Sequence, residues 1–151
     1  MKLGPQEIAS LRLILKKIAF LDQLKINELD ELIGALDKRP FHRGEVLIKQ
    51  GTIGETFFIL ASGSAGVYKE KFLSSKKIAE IGPDTYFGEM ALLDNAPRTA
   101  TVVGEGDGEV YFLPRETFKK VLLNNPGIAA QIRQTSDYRK AQNRALDVKK
   151  E

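Results

Sequence analysis

One glutamate and one arginine stand nine positions apart in the stretch YFGEMALLDNAPRTATVV, residues 86–103. Gly88 directly precedes Glu89, and a glycine lets the backbone approach a ligand closely. Residues 89–93, EMALL, favour a short helix, whose first amides have no intrahelical partner and can bind an anion. Arg98, on the other side of the loop, would add a planar guanidinium that holds two oxygens at once. The spacing therefore predicts a small anion pocket suited to a phosphate.

The carboxylate of Glu89 needs a separate explanation, because a carboxylate beside a phosphate is repulsive. It fits the pocket if it accepts a hydrogen bond from a hydroxyl group of the same ligand, such as a ribose hydroxyl. Two simpler interpretations compete. An acid stabilises the first turn of a helix, and an arginine in a loop is usually solvated. Only Asp94 carries a charge between Glu89 and Arg98. The presence of Glu89 and Arg98 at this spacing therefore favours the ligand pocket over the simpler interpretations.

Composition restricts the other kinds of chemistry. The 151 residues are 42% hydrophobic and 28% charged, with no cysteine and a single histidine, His42. No apolar run approaches the roughly 20 residues of a membrane span, and the first residues lack the pattern of a secretory signal. We expect a cytoplasmic protein with His42 at the surface or at a strand edge, no metal site and no cofactor. Enzymatic hydrolysis of a phosphate ester is disfavoured, because it usually needs a metal or a nearby general base.

The net charge of +3 comes largely from basic residues after position 132. A nucleic-acid footprint would explain this excess, but a solvated helix face explains it better. No aromatic residues interleave the basic ones, as binding to single strands would require. We expect no sequence-specific DNA binding.

Helical patterns flank a central region of short β-rich runs. Residues 6–19 have helical apolar spacing, and a second helix, with Asn27 as its N-cap, ends before Pro40. Between positions 41 and 114, most of the short runs have apolar residues on alternate positions, and glycines separate the runs. Helical spacing returns after that, with an unbroken segment at 128–148. The order predicts an α+β fold. The β-rich runs are EVLIKQG, ETFFILASG, SAGVYKEKF, KKIAEIGP, RTATVVGEG and EVYFLP.

The stretch FGEMALLDNAPRTATV resembles the phosphate-binding cassette of the cyclic nucleotide-binding domain family. This family includes the sensor halves of Crp/Fnr-type regulators, the regulatory subunits of cAMP-dependent kinase and cyclic-nucleotide-gated channels. FHRGEVLIKQGTIGETFFILASGSAGVY is similar to the family's glycine-studded first strands, where we interpret Gly51, Gly54 and Gly63 as tight turns. The similarity runs from about Leu24 to about Arg139. It implies a single domain over residues 1–151, with N-terminal helices at 1–40, a jelly-roll-like antiparallel β-roll at 41–114, the cassette at 86–101, and C-terminal helices at 115–151 that include a lid.

The resemblance also implies a role for each residue of the site. The Gly88 amide and Glu89 would hold the ribose hydroxyl. Arg98 would hold the phosphate oxygens, helped by amides near Ala91 and Thr99. The expected ligand-binding residues are Val67, which would lie against the base, Phe87, Gly88, Glu89, Met90, Ala91, Leu92, Arg98, Thr99, Ala100 and Arg139.

Thr99 bears on ligand choice without deciding it. Within the family, alanine is common there in cAMP-preferring kinase subunits, and threonine occurs both in cGMP-preferring kinases and in channels that prefer cAMP. A threonine also suits the start of a strand, which is where we expect Thr99 to lie. The resemblance favours cAMP, with cGMP as the alternative.

Arg139 is the expected lid contact. Ile128, Ile132, Thr135 and Arg139 share one face of a helix, and an arginine at the matching distance lies over the base in bacterial channel members of the family. Two alternatives stay open: Arg139 could snorkel to water, or Tyr138 could cover the base.

These observations favour a non-enzymatic sensor that repositions its C-terminal helix when a cyclic nucleotide binds. The alternative is a fragment of a larger cyclic-nucleotide-gated channel, kinase or Crp/Fnr-type transcription regulator. The helix-turn-helix module of that last class would need several tens of residues beyond the long helix. The expected partners are the cyclic nucleotide, an effector protein or domain of unknown identity, and a second copy of the chain through the C-terminal helix.

Overall fold

The computed structural model describes residues 2–93, 95 and 97–134, and the structural statements below concern these residues. The chain divides into two compact units. One is a β unit built on Ala35–Phe118, and the other is a helical unit built on Leu3–Gly34 and the chain from Lys119 onward. No helix among the described residues is long and apolar enough to cross a membrane.

The N-terminal helices belong to the helical unit. Helix α1 spans Pro5–Lys16, a 3₁₀ turn follows at Ala19–Leu21, and α2 spans Ile26–Ala35. The prediction that Asn27 is the N-cap of α2 is wrong, because the helix begins at Ile26 and Asn27 lies inside its first turn. There the Glu28 carboxylate accepts a hydrogen bond from the Lys25 amide at 2.9 Å, which satisfies one of the free donors of the first turn.

The helices after the β unit follow the predicted pattern as far as they are described. Helix α3 spans Arg115–Asn124, and residues 126–134 are helical. Ile128 and Ile132 are buried, as expected for one inward face. Thr135, Tyr138 and Arg139, on which the lid prediction depends, lie outside the described residues.

The β unit consists of two four-stranded antiparallel sheets, in the orders β1-β8-β3-β6 and β2-β7-β4-β5. Their facing sides enclose an apolar cluster that includes Phe41, Phe58, Leu60, Val102 and Val110. This arrangement confirms the α+β fold and the jelly-roll-like sandwich. The strands are β1 (Asp37–Phe41), β2 (Val46–Ile48), β3 (Thr56–Ser62), β4 (Ala65–Lys71), β5 (Ser74–Ile81), β6 (Tyr86–Phe87), β7 (Thr101–Gly104) and β8 (Gly108–Pro114).

Two strands were not predicted, and the predicted bound between N-terminal helices at 1–40 and a β-roll from 41 is wrong, because α2 ends at Ala35 and β1 begins at Asp37. Strand β1 has the sequence DKRPF, in which only Phe41 is buried, and its Pro40 argues against a central strand. Proline is tolerated because β1 is an edge strand that pairs only with β8. Strand β6 has two residues, too few to show any periodicity, and its pairing with β3 depends on tertiary contacts.

Candidate ligand-binding site

The β unit contains a cavity of about 370 Å³, within the usual range of roughly 300–1,000 Å³ for small-molecule sites. Its wall is formed by residues of β2, β4, β6 and β7 together with the loop that leads into β7. The lining residues are Ile48, Val67, Phe87, Gly88, Glu89, Met90, Ala91, Pro97, Arg98, Thr99, Ala100 and Val102.

A sharp turn at Gly88 positions the acidic side of the cavity. Gly88 has a φ of +77°, a left-handed conformation that favours glycine. It precedes a 3₁₀ helix at Glu89–Leu92, in which the Ala91 amide donates to the Gly88 carbonyl at 3.1 Å. The Ala91 amide itself is therefore used by i→i+3 bonding, and the help expected from amides near Ala91 stays a prediction for the neighbouring amides.

Backbone contacts with a distant loop hold the segment that carries Arg98. The Arg98 amide donates to the Thr52 carbonyl at 2.8 Å, and the Gly51 amide donates to the Arg98 carbonyl at 2.9 Å. Ile53 and Pro97 form an adjoining β-bridge. These contacts place the Cα atom of Arg98 before any ligand binds, which lowers the entropic cost of forming the site.

Two glycines make room for the Arg98 side chain. A Cβ atom at Gly54 would overlap Nε of Arg98, and one at Gly88 would lie 2.6 Å from Nη1. The guanidinium also donates from Nη2 to the Thr56 carbonyl at 2.6 Å. Gly54 lacks a positive φ, in contrast to Gly51 and Gly63. Its interpretation as a tight-turn residue is wrong, because Gly54 lies in neither a turn nor a bend, and the Arg98 side chain occupies the space that a Cβ atom would fill.

Arg98 is half-buried and lines the cavity. Burial lowers the pKa of Arg98, the negative charge of Glu89 opposes that shift, and the positive charge of Arg115 adds to it. An arginine side chain keeps its proton at neutral pH in spite of such a shift. The cavity thus presents a partly desolvated positive charge, which would gain more from an anion than an exposed arginine would.

The rest of the wall is largely apolar. Ile48, Val67, Phe87 and Val102 line the cavity and also belong to the core cluster of the sandwich or pack against it. The ring of Phe87 stacks on that of Phe58, with 5.2 Å between ring centroids. A flat apolar group such as a nucleobase could be accommodated against this surface.

Thr99 lies in a bend before β7, which begins at Thr101. The prediction that Thr99 starts a strand is therefore wrong. Its side chain is exposed at the cavity, and its carbonyl accepts a hydrogen bond from Nζ of Lys69 at 2.5 Å. Because Thr99 lies outside a strand, strand propensity does not account for its β-branched side chain.

Arg115 supports the site from outside the cavity, and the sequence pattern did not reveal it. Its Nε donates to the Ala91 carbonyl at 2.6 Å, and its Nη2 donates to the Gly54 carbonyl at 2.6 Å. Nη1 also bonds the side chain of Asn95. One side chain at the start of α3 thereby joins the end of the 3₁₀ helix to the loop that accommodates Arg98.

Most of the predicted site residues lie around one cavity. Nine line it: Val67, Phe87, Gly88, Glu89, Met90, Ala91, Arg98, Thr99 and Ala100. Leu92 is buried, with 5% of its surface exposed, and does not line it among the described residues. Arg139 lies outside the described residues. Ile48, Pro97 and Val102 line the cavity and were not predicted: Ile48 and Val102 have the sequence pattern of core residues, and Pro97 is an exposed loop residue.

The described residues contain no group of three or more histidine, cysteine, aspartate or glutamate side chains that could hold a metal ion. His42 is exposed at the surface, with Nδ1 3.8 Å from the carboxylate of Asp107.

Comparison with known proteins identifies a curated relative of this chain. A regulatory subunit of cAMP-dependent protein kinase from Mucor circinelloides f. lusitanicus is 35% identical over 108 residues, which are 72% of this chain and 25% of that protein. This chain therefore spans a quarter of that relative's length.

Two solved structures have the same fold. The regulatory domain of Toxoplasma gondii PKA with cAMP matches with a TM-score of 0.68 and 29% identity, over 80% of this chain and 46% of that one. The N-terminal domain of a transcriptional regulator from Streptomyces coelicolor A3(2) matches with a TM-score of 0.74 and 21% identity, over 88% of this chain and 94% of that one. The family match itself covers residues 38–125, and the chain belongs to the cyclic nucleotide-binding domain family.

Proposed function

We propose that this chain binds a 3′,5′-cyclic nucleotide in the cavity, with cAMP favoured and cGMP as the alternative. The observation that carries the proposal is the half-buried guanidinium of Arg98, held between Gly54 and Gly88 in a largely apolar cavity. Such a group suits a singly charged phosphate that is itself removed from water. The cAMP present with the similar Toxoplasma regulatory domain supports this ligand class.

The proposed position of the ligand follows the distribution of charge. The cyclic phosphate would contact Arg98, and a ribose hydroxyl would donate to the carboxylate of Glu89. The base would extend towards Val67 and the other apolar residues of the wall. Thr99 is exposed at the cavity, so its hydroxyl is available to either base.

We further propose that the chain is a regulatory domain without enzymatic activity and that it acts in the cytoplasm. Its relative from Mucor is a kinase regulatory subunit, which supports a regulatory function. Binding would reposition the helix at the C-terminal end and thereby signal to an effector. The alternative is that this sequence is one part of a larger channel, kinase or transcription regulator.

Titration calorimetry with cAMP, cGMP and 5′-AMP, each added separately to the full chain, tests the ligand class. We expect a cyclic nucleotide to bind at least tenfold more tightly than 5′-AMP, because Arg98 is the only arginine among the described residues that line the cavity and 5′-AMP carries a second negative charge. Equal affinities for 5′-AMP and cAMP would contradict the proposal. The same titrations with Thr99→Ala measure the cGMP-to-cAMP ratio, and an unchanged ratio would show that Thr99 does not set selectivity.

A further inference from the structure

The turn between β4 and β5 exposes two large apolar side chains that the fold does not need. Phe72 and Leu73 form this two-residue turn, since Lys71 pairs with Ser74 across it. Their exposed fractions are 92% and 90%. Leu73 also has a φ of +64°, a conformation that glycine or asparagine adopts at lower cost. Neither packing nor turn geometry explains these two residues.

The hairpin carries this turn away from the rest of its sheet. Strand β4 pairs with β7 only as far as Tyr68, whereas its pairing with β5 continues to Lys71. Residues 69–76 are therefore a two-stranded ribbon. The Gln50 side chain holds the base of the ribbon, because it accepts from the Glu70 amide at 2.7 Å and donates to the Glu70 carbonyl at 2.9 Å.

The ribbon is also strongly basic. Its lysines are exposed, and its single acid, Glu70, is paired with Lys49 at 2.9 Å. Lys69 and Lys76 stand directly opposite each other, an arrangement of like charges that costs stability. Within the described part of the chain, Lys71 and Lys76 have no acidic partner. The lysines of the ribbon are Lys69, Lys71 and Lys76, and Lys77 follows directly after it.

We propose that this hairpin tip docks on the surface of an anionic lipid membrane. Phe72 and Leu73 would enter the boundary between headgroups and acyl chains, while Lys71 and Lys76 would contact lipid phosphates. Membrane affinity of this kind combines buried apolar area with attraction to anionic lipids, and one lysine near such a surface contributes about a fivefold factor.

A membrane suits this feature better than a protein partner does. A stable protein interface buries about 800 Å² on each side and requires complementary shape. Two side chains on a narrow convex turn supply far less than that area, whereas a fluid lipid surface adapts to them. The lysines that flank the turn match the charge of anionic headgroups.

Sedimentation of the full chain with phosphatidylcholine vesicles, with and without phosphatidylserine, tests the proposal. We expect binding only to the vesicles that contain phosphatidylserine, and weaker binding as salt is raised. The double substitution Phe72→Ser with Leu73→Asn should lower this binding at least tenfold. Asparagine tolerates the left-handed conformation, so the turn is kept. Leu123→Asn, at another side chain that is 80% exposed, is the matched control and should bind as the parent does.

A second pair of variants tests the charge. Lys71→Gln with Lys76→Gln should weaken binding about 25-fold, since each lysine contributes about a factor of five. Lys25→Gln with Lys120→Gln removes the same charge elsewhere and should have a smaller effect. Circular dichroism establishes that each variant is folded. Absence of binding to anionic vesicles, or equal binding by the tip variant and its control, would overturn the proposal. So would self-association that the tip substitution abolishes, because the partner would then be a second copy of the chain.

Discussion

At the scale of single residues, Arg98 should contribute most to ligand affinity. Removing one member of a desolvated charge pair costs about 3–5 kcal/mol. Arg98→Ala should therefore weaken cyclic nucleotide binding by roughly two to three decades or more, as measured by calorimetry. Glu89→Ala removes a hydrogen bond to a charged acceptor, worth about 1.5–3 kcal/mol, and should be less harmful.

Arg43→Ala is a suitable control for Arg98→Ala, because Arg43 is exposed and does not line the cavity. Thermal unfolding separates a binding defect from a folding defect, since the Arg98 substitution also leaves the Thr56 carbonyl without the donor it now has. If the variants at positions 89 and 98 remain folded and bind as the parent does, the site is elsewhere.

Gly54 gives a sharper test of how Arg98 is positioned. Gly54→Ala would place a methyl group where the guanidinium now lies, although its backbone conformation accepts alanine. The flexible arginine can move aside, so we expect little change in the midpoint of thermal unfolding. Affinity should fall about 10- to 100-fold, the equivalent of losing a hydrogen bond to a charged group.

Gly82→Ala serves as the matched control for the Gly54 substitution. Gly82 lacks a positive φ, and a Cβ atom there meets nothing within 4 Å. If Gly54→Ala and Gly82→Ala bind the nucleotide with equal affinity, then the position of the guanidinium does not limit binding.

At the scale of elements, Arg115 couples the start of α3 to the site. It donates to carbonyls of the 3₁₀ helix and of the Gly54 loop, so Arg115→Ala would release both segments together. We expect about a tenfold loss of affinity, since each hydrogen bond to a charged group contributes about 1.5–3 kcal/mol and water replaces part of it. Arg115→Lys should retain only part of the affinity that Arg115→Ala loses, because one ammonium group cannot donate to both carbonyls with the geometry of a planar guanidinium.

Arg39→Ala is the control for this experiment. Arg39 is a partly exposed arginine of β1 that pairs with Glu45 at 2.8 Å and does not line the cavity. Comparable losses of affinity in Arg39→Ala and Arg115→Ala would indicate a general loss of stability. They would remove Arg115 from the positioning of the site.

At the scale of the whole molecule, the proposed switch depends on the C-terminal helix. If the ligand draws this helix closed, then hydrogen exchange over residues 128–148 should slow when cyclic nucleotide is added. Arg139→Ala should reduce that protection and weaken binding by roughly 1–2 kcal/mol, as for a partly exposed cation–π contact. Unchanged protection of this segment in the parent protein would mean that the helix is not a lid.

The local sequence was sufficient to predict an anion pocket at residues that line the cavity of the β unit. Gly88, Glu89 and Arg98 fall within eleven consecutive residues, so their types and spacing predict an anion pocket before the fold is known. Short runs with apolar residues on alternate positions likewise predicted most strands of the β unit, although β3 is buried at four consecutive residues and β5 is exposed almost throughout. The α+β order followed from where these patterns change.

Only the tertiary structure decided how Arg98 is held. Gly54 lies 44 residues before Arg98 and Arg115 lies 17 residues after it, so no local pattern connects them. Their roles arise from close packing, in which an absent side chain in one loop leaves the space that a guanidinium from another segment occupies. The roles of Ile48 and Val102 also depend on the tertiary structure. In the sequence both look like ordinary core residues. In the folded β unit they line the cavity together with residues of the cassette.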